Sequence, residues 1–356
     1  MILDFFENAI VDDMTPKQVR YVTPITVKNA RGRTKEIYNQ IRQDFQLVPP
    51  LTMFSPSATL LGGVWSIWRE SQFALGKVDR TITEAISSAV SRLNTCPYCV
   101  DAHSGMLHAL SEHKVVSALR LNRNELIEDD KIRRIVEWSQ ATRDPDAEII
   151  SSPPFSHEEA PEIIGTAIVY HFINRMVNIF LEPSPLPVPN NWNRTKNIAL
   201  RIFGATVAKR IVKRKPNPGE SLQFIHQSTL PPDLAWAGYN DDIAAAFAAF
   251  SSMVEKSGQE VLTEAGRSLI QQRIQSWQGE DMGLSKAWVK DILEQMMDED
   301  KAAGELALLT ALAPHQINKN IISQFRSVHP SDEALLNITA WASFSAARRI
   351  GEWLKY

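Results

Sequence analysis

The sequence has little cysteine, no long uninterrupted run of apolar residues and no excess of basic charge. Only 2 of its 356 residues are Cys, and 38 Lys and Arg face 41 Asp and Glu, which gives a formal net charge of −3. Nucleic-acid binding needs a basic surface, and a membrane span needs about 20 consecutive apolar residues. The first residues lack the basic start and apolar core of a secretory signal. These absences predict a cytoplasmic protein and argue against nucleic-acid or membrane partners.

The alternation of polar and apolar residues that marks a β-strand is also nearly absent. Ile82, Ile86 and Leu93 belong to an amphipathic helical pattern, and residues 163–176 to a second, largely buried one. The fold class predicted from these patterns is all-α. Because the chain exceeds the roughly 250 to 300 residues at which one core stops growing, two core units are expected.

Short patterns recur at offsets of 170 to 182 positions and indicate an internal repeat. Four anchors keep the same order: Val48-Pro49-Pro50 with Leu230-Pro231-Pro232, residues 82–85 with 262–265, Asp130-Lys131 with Asp300-Lys301, and Arg175 with Arg348. We interpret them as a tandem duplication, with copies at residues 45–181 and 230–354 that pack together as an intrachain pseudo-dimer. Association of whole chains into a homo-oligomer is a further expectation.

The region between the copies differs in composition from both. A proline-rich stretch at residues 182–189 precedes a basic amphipathic segment at residues 194–215. Such a helix can lie on a membrane surface or pack its apolar face on the protein, and the second interpretation is favoured. The predicted domains are residues 1–181, the connection at 182–229, and residues 230–356.

The two cysteines lie three residues apart in Cys96-Pro97-Tyr98-Cys99, with His103 four residues beyond the second. This spacing places both thiols and the imidazole along one face of a helix. Asn94 or Thr95 is the predicted N-cap, and Pro97 suits the first turn. The helix N-terminus is expected to favour the thiolate form of Cys96 and, more weakly, of Cys99.

A redox reaction follows from this arrangement together with Glu84 on the preceding helix. His103 can accept a thiol proton, while Glu84 orients the imidazole or relays the proton. Attack of one thiolate on a peroxide gives a sulfenic acid, which the second Cys converts to a disulfide, and an external dithiol restores the thiols. The four candidate catalytic residues are Cys96, Cys99, His103 and Glu84, and no metal or cofactor is expected.

Three other interpretations of the cysteine pair remain open. Cys-Pro-Tyr-Cys also occurs in glutaredoxins, but that fold needs strands around the motif, whereas residues 83–93 have a helical pattern. Zinc could take the four candidate residues as ligands, although structural zinc sites usually pair two short ligand motifs. The cysteines could also be purely structural.

The run from Glu84 through Cys96-Pro97-Tyr98-Cys99 to His103, with Val100 and Ala102, resembles the AhpD-like alkylhydroperoxidase family. That family shares its fold with carboxymuconolactone decarboxylases, which do not use a Cys-x-x-Cys pair. The run from His171 to Arg175 is similar to an Asn-Arg helix of the peroxidase-related branch.

The resemblance implies a division of roles. Cys99 would react with the peroxide, Cys96 would be the exposed thiol attacked by the reductant, and Glu84 with His103 would form the proton relay. It implies a peroxide substrate and a dithiol reductant of the lipoyl or thioredoxin type. Tyr98 departs from members with histidine at that position, which removes any relay step through that side chain.

The second copy departs further from the family pattern. Glu264 is placed opposite Glu84 by the repeat, but Ser276, Gly279 and Gly283 are placed opposite the two thiols and His103. One active and one degenerate half is a layout similar to that of sestrins. The sequence therefore supports two hypotheses: a thiol-dependent peroxidase for antioxidant defence, or a redox sensor whose degenerate half binds a partner.

Overall fold

A computed structural model describes residues 17–110, 112–185 and 215–354. These ranges are built from α-helices and short 3-10 turns, and within them the only β pairing is an isolated bridge between Val19 and Leu181. The all-α prediction is confirmed. The predicted basic segment at residues 194–215 lies outside the described residues except for Lys215.

The helices before the undescribed segment are α1 (Gly32–Asp44), α2 (Pro49–Thr52), α3 (Ala58–Gln72), α4 (Arg80–Leu93), α5 (Pro97–Ala109), α6 (His113–Leu121), α7 (Asp130–Ala141), α8 (Glu148–Ser151) and α9 (Ala160–Phe180). Those after it are α10 (Asp241–Gln259), α11 (Glu264–Ser276), α12 (Ala287–Leu293), α13 (Asp298–Leu312), α14 (Lys319–Val328) and α15 (Asp332–Trp353). Long amphipathic helices thus occur in both halves of the chain.

Side-chain caps determine where the helices of each half begin. Asp79 starts α4 by accepting a hydrogen bond from the Thr81 amide at 2.8 Å, and Thr263 starts α11 by accepting one from the Gly266 amide at 3.2 Å. Asp and Thr are favoured at this position because they satisfy an amide that lacks an intrahelical partner.

Four helices form the centre of the molecule, where α9 packs along α15 and α3 packs along α10. Phe172 on α9, Phe250 on α10 and Phe344 on α15 meet there, with ring centroids 4.7 to 6.1 Å apart. All three rings are fully buried. Burial of such large apolar groups supplies several kcal/mol of stability and joins the two halves through one core.

Helix α9 is long and apolar enough, by length and composition, to cross a membrane, but 94% of its apolar window is buried inside the protein. The prediction that residues 163–176 belong to a largely buried helix is confirmed. Its burial identifies it as a core helix, which packs against α3, α4, α5 and α15.

Candidate active site

A three-residue turn between α4 and α5 positions the cysteine pair. The amide of Cys96 donates to the Ser91 carbonyl at 2.9 Å, which closes α4 in the manner of a Schellman motif. Thr95 occupies the left-handed position of that turn with φ of +50°. The Asn178 side chain holds the turn by donating to the carbonyls of Asn94 and Thr95. A β-branched residue is strained at positive φ, so α9 stabilises a turn that the local sequence disfavours.

The N-cap of α5 is Cys96 itself, so the prediction of Asn94 or Thr95 is wrong by one or two positions. Pro97 is the first helical residue, as predicted, and Cys99 lies in the first turn. The difference arises because Asn94 and Thr95 serve to end α4 and are not free to start α5.

Both cysteines are free thiols, and both are buried. Cys96 is 0% exposed and Cys99 is 4% exposed, so the prediction that Cys96 is the more accessible sulfur is wrong. The start of α5 packs against α4 and α9, and Cys96 is buried there although its neighbours Thr95 and Pro97 are exposed. The position of Cys96 at the helix end therefore did not make it accessible to solvent.

Burial also affects the acidity of the Cys99 thiol. It raises the pKa of Cys99 well above the usual thiol value, and a hydrogen bond with the Cys96 sulfur raises it further. Hydrogen bonds from Asn174 and Ser91 lower it, but by less. The expected stabilisation of the Cys99 thiolate by the helix N-terminus is therefore outweighed, and a base must remove the proton.

The candidate base for this thiol is a histidine paired with a carboxylate. His103 Nδ1 lies 2.6 Å from Glu84 Oε2, and Arg80 Nη2 lies 2.5 Å from Glu84 Oε1. Burial of Glu84 raises its pKa, but the charge of Arg80 and then His103 outweigh burial, so that the pKa of Glu84 is lowered. The carboxylate is therefore ionised at neutral pH.

The ionised carboxylate determines which nitrogen of His103 carries hydrogen. Because Glu84 can only accept, the 2.6 Å contact requires a proton on Nδ1. Nε2 of the neutral ring then has a free lone pair and can accept another proton. This is the usual arrangement of a general base oriented by a carboxylate.

Cys99, Glu84 and His103 share a narrow, mostly apolar cavity of about 40 Å³, enough for a very small molecule. Its other walls include aromatic and apolar side chains, among them Phe45, Trp68, Phe73, Tyr98, Met106, Tyr170 and Ile173. The structure thus brings three of the four predicted residues to one cavity. Cys96 is joined to them through the Cys99 sulfur.

Two tyrosines line the same cavity. The Tyr170 ring meets His103 edge to face at 4.8 Å, and its hydroxyl donates to Gln72 Oε1 at 3.0 Å. Tyr98 donates to Gln18 Oε1 at 3.3 Å. Burial raises the pKa of both tyrosines well above the usual phenol value, so they remain neutral and act as walls and hydrogen-bond donors.

Three further residues belong to the site although the sequence did not predict them there: Arg80, Gln72 and Tyr170. Arg80 lies four residues before Glu84, a spacing that pairs side chains on one helix face and could have indicated the ion pair. Gln72 and Tyr170 come from α3 and α9, and nothing in their local sequence distinguishes them from core residues.

Within the described ranges, no group of three or more His, Cys, Asp or Glu side chains is arranged to hold a metal ion. The Glu84 carboxylate is engaged by Arg80 and His103 on its two oxygens.

The segment after α11, which the predicted repeat places opposite the dithiol, differs in structure from the start of α5. Helix α11 ends at Ser276, and no helix is found between it and Ala287, so α5 has no helical counterpart there. Glu264 is the first residue of α11 and is exposed, whereas Glu84 is the fifth residue of α4 and fully buried. The two residues that the predicted repeat pairs therefore differ in burial and in their distance from the capped helix starts at Asp79 and Thr263.

Comparison with known proteins gives one informative similarity. The chain is 35% identical over 339 residues to a protein of Mycobacterium tuberculosis (strain ATCC 25618 / H37Rv) named alkyl hydroperoxide reductase Rv2159c, and the match covers 95% of each chain. No family model matches the chain.

Proposed function

Because the chain belongs to the AhpD-like family of alkyl hydroperoxide reductases, we propose that it reduces hydroperoxides with Cys96 and Cys99 in a cytoplasmic antioxidant role. The observation that carries the proposal is the 2.6 Å contact between His103 and Glu84 beside a cavity that the Cys99 thiol also lines. A thiol with a raised pKa needs such a base to become a nucleophile.

In the first step, His103 Nε2 takes the Cys99 proton and the thiolate attacks the peroxide. An S–O bond forms, the O–O bond breaks, and the alkoxide leaves as an alcohol with the proton that His103 returns. Sulfur is oxidised to a sulfenic acid, and the peroxide is reduced. Glu84 stabilises the imidazolium that exists between the two proton transfers.

In the second step, Cys96 attacks the sulfur of the Cys99 sulfenic acid. A disulfide forms and water leaves, so no oxidant besides the peroxide is consumed. An external dithiol protein of the lipoyl or thioredoxin type then reduces the disulfide by exchange. Because both sulfurs are buried, this exchange requires movement of the turn between α4 and α5 or of its cover.

The duplication belongs to the same proposal. It is supported by the order of the long helices, which is the same in both halves of the chain. Helices α3, α4, α7 and α9 are matched in turn by α10, α11, α13 and α15. In addition, α3 packs on α10 and α9 on α15, so each contact joins elements that would be equivalent. Contacts between equivalent elements are the signature of a two-fold interface, here within one chain.

Steady-state reduction of hydrogen peroxide and of an organic hydroperoxide, with a lipoyl or thioredoxin-type donor, tests the proposal. We expect turnover by wild-type protein, none by Cys99→Ser, and a disulfide between Cys96 and Cys99 in peroxide-treated protein by mass spectrometry. Turnover undiminished in Cys99→Ser would reject the assignment.

One observation favours a second candidate, a redox sensor with little turnover. Cys96 is fully buried, and Cys99 nearly so, which hinders access by a protein reductant. A sensor would form the disulfide once per oxidation event and show no catalytic cycling with any dithiol donor.

A further inference from the structure

A second, larger cavity of about 340 Å³ lies where the turn before the dithiol meets the second half. Asn94 and Thr95 contribute one wall, and the loop after α11 contributes another through Trp277 and residues 281–284. The volume is within the range of small-molecule sites, and none of the four residues assigned to peroxide chemistry lines it. We call it the arginine cavity, after Arg143 and Arg175 in its lining.

Arg175 is the unusual group in this cavity. It is only 5% exposed, and no carboxylate among the described residues pairs with it. Its Nε donates to the Ala311 carbonyl and its Nη1 to the His171 carbonyl, whereas Nη2 has no hydrogen-bond partner within the described ranges. Burial, and then the charge of Arg143, lower the pKa of Arg175 to about 9. A buried guanidinium without a counter-ion is costly, and a bound anion would remove that cost.

Arg143, unlike Arg175, already has a carboxylate partner. Its Nη2 donates to Asp281 Oδ1 at 2.8 Å, and its Nε and Nη2 also donate to the Gly279 carbonyl. Of the charges of Arg143, Arg175 and Asp281, one positive charge is therefore left without a partner. A single leftover charge matches a monoanion better than a phosphate dianion.

Part of the cavity lining is apolar, and Asn94, Thr95, Asn178 and His315 add polar side chains to it. Trp277, Leu284 and Leu312 line it together with Met282 and Pro314. Leu284 is 92% exposed at the cavity's edge, an unusual position for a large aliphatic side chain. An apolar ligand body would cover it.

We propose that the arginine cavity binds a small carboxylic acid with an apolar body, whose carboxylate pairs with Arg175 and whose body covers Trp277 and Leu284. The proposal goes beyond peroxide reduction and does not depend on it. A connection to the dithiol also exists, because the Asn94 side chain donates to Asn174 Oδ1 at 3.0 Å, and Asn174 hydrogen-bonds the Cys99 sulfur. An occupied cavity can therefore influence the reactive thiol through two side chains.

The test uses hexanoate, hexanamide and inorganic phosphate as probes in calorimetric titrations of the whole chain. We expect hexanoate to bind at least tenfold more tightly than hexanamide, and phosphate not to compete. Arg175→Gln should weaken hexanoate binding at least tenfold. Arg120→Gln, in the lining of another cavity, is the matched control and should stay within twofold of wild type. The same titrations on a Cys96→Ser, Cys99→Ser variant separate this proposal from the redox reaction.

Because Arg175 is buried, its replacement could disturb folding, so a surface variant provides a second test. Leu284→Asp changes an exposed side chain at the cavity edge and should weaken hexanoate binding several-fold by loss of apolar contact and by repulsion. Equal binding of hexanamide and hexanoate, effective competition by phosphate, or unchanged affinity in Leu284→Asp would each overturn the proposal.

Discussion

The junction after α4 and the junction after α11 begin alike and then diverge. Each follows an amphipathic helix with a side-chain cap at its start, yet the first turns within three residues into α5, whereas the second continues as a loop until Ala287. At the first junction, Asn178 from α9 holds a strained Thr95. At the second, Gly279 brings the loop against Arg143. The thiol pair therefore depends on a helix that starts against α4 and α9, and the second junction has no such helix.

The sharpest way to test the contrast is to remove the reactive thiol. Cys99→Ser should lower peroxide reduction by at least a thousandfold, to the background rate, because serine cannot be oxidised to a sulfenic acid. Ser276→Ala, at the end of α11, should leave the rate within twofold. Peroxide consumption measures both.

The partner thiol should behave differently from the reactive one. In Cys96→Ser, a sulfenic acid should form at Cys99 and persist, since no second thiol condenses with it. Mass spectrometry after dimedone treatment detects it. Trapping at Cys96 in Cys99→Ser, with none at Cys99 in Cys96→Ser, would reverse the assigned roles.

The two glutamates provide the next comparison. Glu84→Gln should slow peroxide reduction by roughly 10²- to 10³-fold, because a neutral amide lacks the negative charge that stabilises the His103 imidazolium. Glu264→Gln, an exposed first-turn change, should leave the rate unchanged. Equal effects of the two substitutions on single-turnover rates would contradict the relay.

Arg80 should matter for stability, and in a pH-dependent way. The lowered pKa of Glu84 means that its ionised form stabilises the fold above the unfolded value near 4.5, and that this contribution is lost as pH falls through the lower folded pKa. Arg80→Met leaves that carboxylate without its cation and should reduce the free energy of unfolding by about 3 kcal/mol at pH 7. The deficit should shrink towards pH 4, because burial raises the pKa of Glu84 once Arg80 is removed, and the carboxylate is then protonated at a higher pH in the variant than in the wild type.

Urea unfolding at the two pH values measures this dependence. Arg123→Met, which removes an exposed pair with Glu125, is the matched control and should leave the free energy of unfolding close to that of the wild type. A deficit for Arg80→Met that stays constant from pH 7 to pH 4 would contradict the role assigned to Glu84.

The smallest expected effect concerns the loop of the second half. Gly279 has φ of +93°, and a Cβ there would lie 1.7 Å from the Arg143 carbonyl oxygen. Gly279→Ala should therefore destabilise the protein by roughly 2 kcal/mol and weaken the hydrogen bonds from Arg143. Gly283→Ala, with φ of +63° but open space around the Cβ, should cost about 1 kcal/mol. Thermal unfolding of the two variants distinguishes a steric effect from a conformational one.

Much of the site was predictable because its signals are local. Cys99 and His103 share α5 and Cys96 is its N-cap, so their spacing alone predicted that they lie near one another, and their geometry with Glu84 follows from packing of two consecutive helices. The ion pair of Arg80 with Glu84 could have been predicted in the same way, because the two residues are four positions apart on one helix. The exposure of Cys96 and the pKa of Cys99 could not be predicted in this way, because both depend on how α9 packs over the cysteines.

The helices and the chemical character of the dithiol could be read from the sequence alone, since they depend on residues a few positions apart. The tertiary structure was needed to show that Cys96 is buried, that Glu264 and Glu84 differ in burial and in helix position, and that Arg175 faces a cavity without a counter-ion. The physical reason is desolvation. Its magnitude depends on segments far apart in the chain, and it outweighs the local helix-terminus effect on the thiol.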